Sequence, residues 1–370
     1  MTVDIRQLVP EWIRTLTPYP PGKPIEEVER ELGIQGSIKL ASNENPLGPS
    51  PRAVAAVAAA LDGMHRYPDG SAFYLRRRLA ERHRVSPDDM LVGNGSNEII
   101  ELVVRTFLRP RDEAVMADQA FVIYRMVVQA VAATPRVIPL RNFTHDLEAI
   151  AEAVTPRTRL VFLANPNNPT GTIFRRREWK AFLRALPVRQ LIVVADDAYA
   201  DYVEDPEYPD TIAERGDGSV PVVTLRTFSK LYGLAGLRIG YAVAPGAVIE
   251  AMQRIRQPFN VNALALVGAL AALDDQEHVR RTLEVNHQGM RMLSGAFDRL
   301  RLPFVPSAAN FILVRVGQGL AVYEALLRRG VIVRPMDGYG LPEYLRVTIG
   351  LPEENRRFVE ALEAVLREGG

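Results

Sequence analysis

The stretch LVFLANPNNPTGTIFRRREWKAFLRALPVRQLIVVADDAY, residues 160–199, reads as strand, helix, strand. LVFLA (160–164) and LIVVA (191–195) are continuously apolar and not alternating, the pattern of strands covered on both faces. Between them Phe174, Trp179, Phe182, Leu183 and Leu186 recur at roughly helical spacing. That order implies a right-handed crossover between parallel strands, with ligands collecting at the strands' carboxyl ends. Chemistry-bearing residues stand at those ends. After the first strand Pro166 and Pro169 make a rigid loop that holds Asn165, Asn167 and Asn168 out of the sheet, where a bland turn needs only one proline. After the second, Asp196 opens D-D-A-Y; either it sits in a low-dielectric cleft with a cationic or N–H partner, or it caps the next helix.

Outward from this core, VVTL (222–225) reads as another buried strand and leads into TFSKLYGLAGLRIGY (227–241). Of 45 basic residues only Lys23, Lys39, Lys180 and Lys230 are lysine, so the chain uses Arg where it merely needs a cation. Lysine's distinctive chemistry is a deprotonable amine that forms a Schiff base with an aldehyde. Thr227, Ser229 and Arg238 bracket Lys230 with hydroxyls and a bidentate anion clamp, as a phosphate would need. Upstream, G-N-G-S-N-E (93–98) is a Gly-rich turn feeding a helix; Ser96 and Asn97 either seat a phosphate on free N–H groups or simply cap that helix. Lysine, carboxylate, phosphate cradle and donors for a phenolic oxygen together fit one cofactor, pyridoxal phosphate.

The bulk numbers agree with a catalyst of small molecules. A chain of 370 residues, 47% hydrophobic and 24% charged, has room for about two domains. A net charge of +1 gives no field to attract nucleic acid or membrane, and the lack of Cys excludes disulfides and thiolate sites. The five histidines (His65, His83, His145, His278, His287) have no ligand spacing; no metal is expected and they read as surface or helix residues. MTVDIRQLVPEWIRTL carries Asp4 and Glu11 within its apolar residues, unlike a signal peptide, so a cytoplasmic protein is expected. AVAAVAAAL (53–61) reads as a helix, and the segment after 261 as a smaller α+β unit ending in a helix from Glu353.

N-P-T-G, D-x-A-Y, S-K and an Arg eight positions after the Lys occur in an order and spacing that resemble the fold type I pyridoxal phosphate aminotransferases. Within them, YPPGKPIEEVERELG (19–33), KLASNENPLGPSP (39–51), RYPDG (66–70), SAANFILVRV (307–316) and YGLPEYLRVTIG (339–350) are similar to the histidinol-phosphate aminotransferase family. The resemblance spans almost the whole chain and implies an α/β fold: a large domain (46–261) with a mostly parallel sheet flanked by helices, and a smaller α+β domain from 1–45 and 262–370. It implies pyridoxal 5'-phosphate on Lys230, which also moves the proton. It also implies Asp196 at the ring nitrogen, Tyr199 and Asn168 at the phenolic oxygen, and Phe121 stacked on the ring. Ser96, Asn97, Thr227, Ser229 and Arg238 take the phosphate, with Gly95 allowing close approach. Tyr67 reaches the neighbouring subunit's cofactor, which implies a homodimer; Arg346 clamps the substrate carboxylate, with Arg334 near a substrate phosphate and Tyr19 near its side chain.

Two departures stand out. D-D-A-Y replaces D-E-A-Y, with little effect expected from Asp197, and Q-A-F replaces P-T-Y at Gln119–Phe121, altering the ring-stacking wall. The resemblance implies transamination between L-glutamate and imidazole acetol phosphate in histidine biosynthesis. An aromatic amino acid aminotransferase and a phosphothreonine decarboxylase-like lyase stay open as alternatives. A regulator is disfavoured, since no basic or helix-turn-helix-like DNA-binding segment is read before residue 46 and Lys230 is kept.

Overall fold

The computed structural model describes residues 4–187, 190–215 and 219–368; the first three residues of the stretch read against export lie outside the described residues. Seven strands form the central sheet. Their spatial order is Met90–Gly93, Gly240–Val243, Val222–Thr227, Ile192–Asp196, Thr158–Ala164, Glu113–Ala117, Thr134–Ile138. Gly240–Val243 runs antiparallel to both neighbours, and the pairings from Val222–Thr227 through to Thr134–Ile138 are parallel.

The continuous apolar runs have the two-sided burial they require. Leu160, Phe162, Ile192 and Val194 face one core with the helix Gly95–Phe107, whereas Val161, Leu163, Val193 and Ala195 face the other with Trp179 and Phe182 of the helix Arg176–Ala185. Alternate residues therefore enter opposite layers, and neither face can be polar. Because the parallel strands point the same way, Ala117, Ala164, Asp196 and Thr227 end at one edge.

The smaller unit is an antiparallel four-stranded sheet, ordered Arg334–Pro335, Tyr344–Thr348, Phe311–Arg315, Phe304–Val305. Leu345 and Val347 enter its core with Phe297 and Phe358 of the helices Gln276–Arg299 and Pro352–Glu368. Arg346, between them in the strand, projects to the opposite face, towards the large sheet. The N-terminal segment joins this unit through Ile38–Lys39, paired in parallel with Val331–Ile332.

A boundary at 261 cuts through packing. The helix Ala263–Leu273, assigned by sequence to the smaller unit, lies against Pro51–Ala60, and its Ala265, Ala269 and Ala272 share a core with Leu75, Phe228 and Tyr241 of the large body. Small side chains allow that close helix contact. Gln276–Arg299 straddles the two units, with Val279 and Leu283 against the large body and Leu293 and Phe297 in the small core.

Candidate active site

The sheet edge, the smaller unit and the N-terminal segment enclose a cleft of about 460 Å³. Tyr19, Ser96, Asn97, Phe121, Asn168, Asp196, Tyr199, Thr227, Ser229, Lys230, Arg238, Arg334 and Arg346 all line it. Gly95 lies directly behind, against Arg238, and Tyr67 does not reach the cleft of its own chain.

Asp196 is a ladder residue, paired with Ala164 and Leu225, which argues against the capping role left open by sequence. Its Oδ1 accepts the Ala198 N–H at 3.2 Å and its Oδ2 accepts the Tyr124 hydroxyl at 2.5 Å. Burial raises its pKa, and those donors and Lys230 pull the other way. Asp197, one residue on, points to the far side of the sheet. There Arg226 lies at 3.4 Å and the Thr211 hydroxyl donates to it at 2.7 Å, so it does not meet the cleft, as expected. Burial pushes its carboxyl up to about 7 against the pull of Arg226.

Lys230 donates from Nζ to the Ser42 carbonyl at 3.1 Å and lies 5.7 Å from the centroid of the Tyr199 ring. Burial, with Arg346 and Arg238 nearby, depresses its pKa to about 8, so a far larger share of the amine is free base near neutral pH than for an ordinary lysine.

Two hydrogen bonds orient the donors opposite Lys230. Asn43 Nδ2 donates to the Tyr199 hydroxyl at 2.9 Å, which leaves the phenolic hydrogen free for another acceptor. Arg346 Nη1 donates to Asn168 Oδ1 at 2.5 Å, leaving the Asn168 amide hydrogens free. Burial pushes the Tyr199 phenol up to about 12, so it remains a donor at neutral pH. Asn165 and Asn167 instead pin their own loop: Asn165 bonds the Phe174 backbone through both its oxygen and its nitrogen, and Asn167 Nδ2 donates to the Gln119 carbonyl at 2.8 Å. Both X–Pro bonds in that loop are cis.

The phosphate seat is a helix start. Asn94 is the N-cap of Gly95–Phe107 without a side-chain bond of its own, so Ser96 and Asn97 lie in the first turn and Ser96 is not the cap. Their N–H groups face the cleft with the helix's positive end. Glycine is required here twice. Gly95 has φ +76°, and a Cβ on it would come within 2.5 Å of Arg238 Nη2; a Cβ on Gly240 would meet the Ser96 nitrogen at 2.6 Å.

On the opposite wall Arg346 also donates from Nη2 to the Ala41 carbonyl at 2.7 Å and stands 5.3 Å from the Phe311 ring centroid. Among the described residues its Nε has no partner. Arg334 donates to the Pro20 carbonyl at 2.7 Å and lies 5.4 Å from the Tyr19 ring centroid. Sequence reasoning passed over Asn43, Tyr124 and Tyr339, all of which line the cleft. Asn43 and Tyr339 sit inside stretches quoted for their resemblance, and Tyr124 falls three residues after Phe121; no motif spacing marks their partners, which are distant in sequence.

One histidine departs from expectation. His145 is neither on the surface nor in a helix: it is buried, accepts the Ala164 N–H at Nε2 at 3.3 Å, and burial lowers its pKa to about 4. It supports a strand end. Among the described residues no cluster of His, Cys, Asp and Glu could hold a metal.

These residues fit pyridoxal phosphate on the structure's own terms: an amine depressed to about 8, a buried carboxylate with neutral partners, and an open helix start beside an arginine. Together with the sheet order, they place the molecule among fold type I pyridoxal-phosphate-dependent transferases. The chain belongs to the aminotransferase class I and II family, whose model matches residues 35–362. It is 49% identical over 363 residues to histidinol-phosphate aminotransferase 1 of Nitrosococcus oceani, covering 98% of each chain. It is 48% identical over 357 residues to histidinol-phosphate aminotransferase of Moorella thermoacetica, covering 96% of this chain and 92% of that one. The crystal structure of histidinol-phosphate aminotransferase from Sinorhizobium meliloti in complex with pyridoxal-5'-phosphate superposes with a TM-score of 0.88 at 26% identity, over 97% of this chain and 98% of that one. A double mutant of Thermus thermophilus aspartate aminotransferase shares the fold, with a TM-score of 0.82 over 97% and 99% of the two chains at 24% identity.

Proposed function

We propose that this aminotransferase moves an amino group from L-glutamate to imidazole acetol phosphate, giving 2-oxoglutarate and L-histidinol phosphate, and that it works as a cytoplasmic homodimer. The observation that carries the reading is a pair of arginines, Arg334 and Arg346, in the same cleft as Lys230, whose amine is depressed to about 8. The names of the relatives agree with it.

When bound, pyridoxal phosphate supplies an aldehyde for the amino group and a ring that takes up the electron pair left at the substrate's Cα. Lys230 Nζ would take the proton from the substrate's Cα and would hold it for return on the far side of the substrate nitrogen. Asp196 holds the ring nitrogen, Tyr199 and Asn168 donate to the phenolic oxygen, and Phe121 covers the ring. Ser96, Asn97, Thr227, Ser229 and Arg238 hold the phosphate, with Gly95 giving it room. Glutamate's α-carboxylate rests on Arg346, whose partly unpaired guanidinium still has a donor to offer. The phosphate of the second substrate uses Arg346 together with Arg334, with Tyr19 beside its side chain.

Tyr67 is 84% exposed and stacks on Phe259 at 4.8 Å, with Phe73 and Tyr74 exposed nearby in the chain. We assign this aromatic surface to a second copy of the chain, so that Tyr67 reaches that copy's cofactor phosphate. Among the described residues no helix is long and apolar enough to cross a membrane.

A half-reaction panel tests the reading. Histidinol phosphate, glutamate, phenylalanine and tyrosine are added separately to the loaded enzyme while the visible absorption is followed. Bleaching by histidinol phosphate and glutamate supports it. Faster bleaching by phenylalanine makes the enzyme an aromatic aminotransferase, and released carbon dioxide makes it a lyase.

A further inference from the structure

We propose that Tyr124 is a positioning residue for the reaction: its permanently donated phenolic hydrogen keeps Asp196 ionised and aimed at the cofactor's ring nitrogen. The inference rests on the cofactor reading above and adds a residue which that reading does not use.

Four observations carry it. The Tyr124 hydroxyl donates to Asp196 Oδ2 at 2.5 Å, short for a bond between oxygens, as befits a charged acceptor. Both side chains are buried, Tyr124 at 1% and Asp196 at 6% exposure, so water cannot take over from either. The phenol is clamped: it stacks on Phe162 at 4.8 Å and meets Phe121, the wall of the ring site, edge-on at 5.7 Å. Its own proton is secure, because burial first and Asp196 second raise its pKa well above the ordinary value. Among the described residues the only other hydrogen bond to the Asp196 carboxylate is the longer one from Ala198 N–H.

A buried carboxylate without a cation at bonding distance drifts towards its neutral form. A neutral Asp196 could not hold a proton on the ring nitrogen. The titratable groups that interact with it are Tyr124 from Ile123–Ala130, Lys230 from the loop after Val222–Thr227, and, from its own strand end, Tyr199 and, across the sheet, Asp197. Of these only Tyr124 touches it with a hydrogen. Removing that hydrogen makes Asp196 the stronger base, draws the ring proton towards it and weakens the ring's electron withdrawal.

The test is Tyr124→Phe in the loaded enzyme, which keeps the ring packing and deletes one oxygen. The pH midpoint of the bound cofactor's visible absorption is expected to move upward by about one unit. In an Asp196→Asn background the same substitution is expected to move it no further, since the coupling runs through the carboxylate. An unchanged midpoint, or an equal shift in both backgrounds, overturns the inference and leaves the phenol as packing. Should Tyr124→Phe not fold, the double variant Asp196→Asn/Tyr124→Phe is expected to fold, having lost the stranded charge; its failure also overturns the inference. Wild-type protein that develops no visible band with pyridoxal phosphate breaks the function reading instead.

Discussion

The two walls of the cleft fix their charges by different means. On the large-sheet wall Asp196, Thr227 and Lys230 stand at or just beyond the ends of adjacent parallel strands, so their relative placement follows from the ladder itself. On the facing wall Arg346 and Arg334 come from one antiparallel pair, yet each is aimed by a carbonyl of the N-terminal segment, Ala41 for Arg346 and Pro20 for Arg334. The first wall is built for a ligand that stays. The second depends on chain more than 300 residues away in sequence, and is the wall that can change with the substrate.

Lys230→Ala should break the sheet wall most severely. Cofactor is expected to bind without covalent attachment and turnover to fall by about 10⁴-fold, the scale of losing both a nucleophile and a general base. Single-turnover bleaching with glutamate measures it, and undiminished transamination would end the role assigned to this lysine. Next is Arg346→Ala on the facing wall. kcat/KM for glutamate should fall roughly 100-fold, from the loss of charged hydrogen bonds, while cofactor affinity changes little. If cofactor affinity falls by as much as kcat/KM, the walls are not separable and the contrast is wrong.

A third variant sharpens the electrostatic side. The folded pKa of Lys230 lies at about 8, below its value of 10.5 in the unfolded chain, so between those limits the unfolded state binds more protons and stability rises with pH. Below about pH 8 the penalty for burying the charge is fully present. Cofactor-free Lys230→Met should therefore be more stable than wild type by about 2 kcal/mol at pH 7, with the gap closing towards pH 10.5. Denaturant melts at the two pH values check this; a gap independent of pH would show that the ammonium is well solvated. The smallest effect is expected from Tyr67→Phe, which touches neither wall of its own chain. If Tyr67 serves the second copy as proposed, this should weaken cofactor binding roughly tenfold through the loss of that one bond to a phosphate, with no change in the mass of the proposed dimer by light scattering.

Legibility in the sequence followed the same division. Strand, helix and strand over 158–196 were legible because a strand covered on both faces leaves a continuous apolar run, and because the crossover helix repeats at its own period. The lysine, the carboxylate and the helix start were legible because each lies at a strand end inside a short motif. The boundary at 261 was not: Ala263–Leu273 is apolar all round, so its pattern cannot say which neighbour it packs against. His145 was misread for a related reason, since a lone polar residue in a loop carries no sign of burial.

By itself the sequence determined the alternation of buried strands and helices and the chemistry of the cofactor, and it singled out Lys230 as the candidate amine, because these depend on residue type and spacing along the chain. Only the tertiary structure decided that Asn43 turns the Tyr199 hydrogen free, that Arg346 orients Asn168, and that Tyr124 bonds Asp196. Each of those contacts joins residues at least 72 positions apart. Hydrogen bonds are short-ranged and directional, so which donor meets which acceptor is settled only when packing brings the strand ends, the helix starts and the N-terminal segment into one cleft.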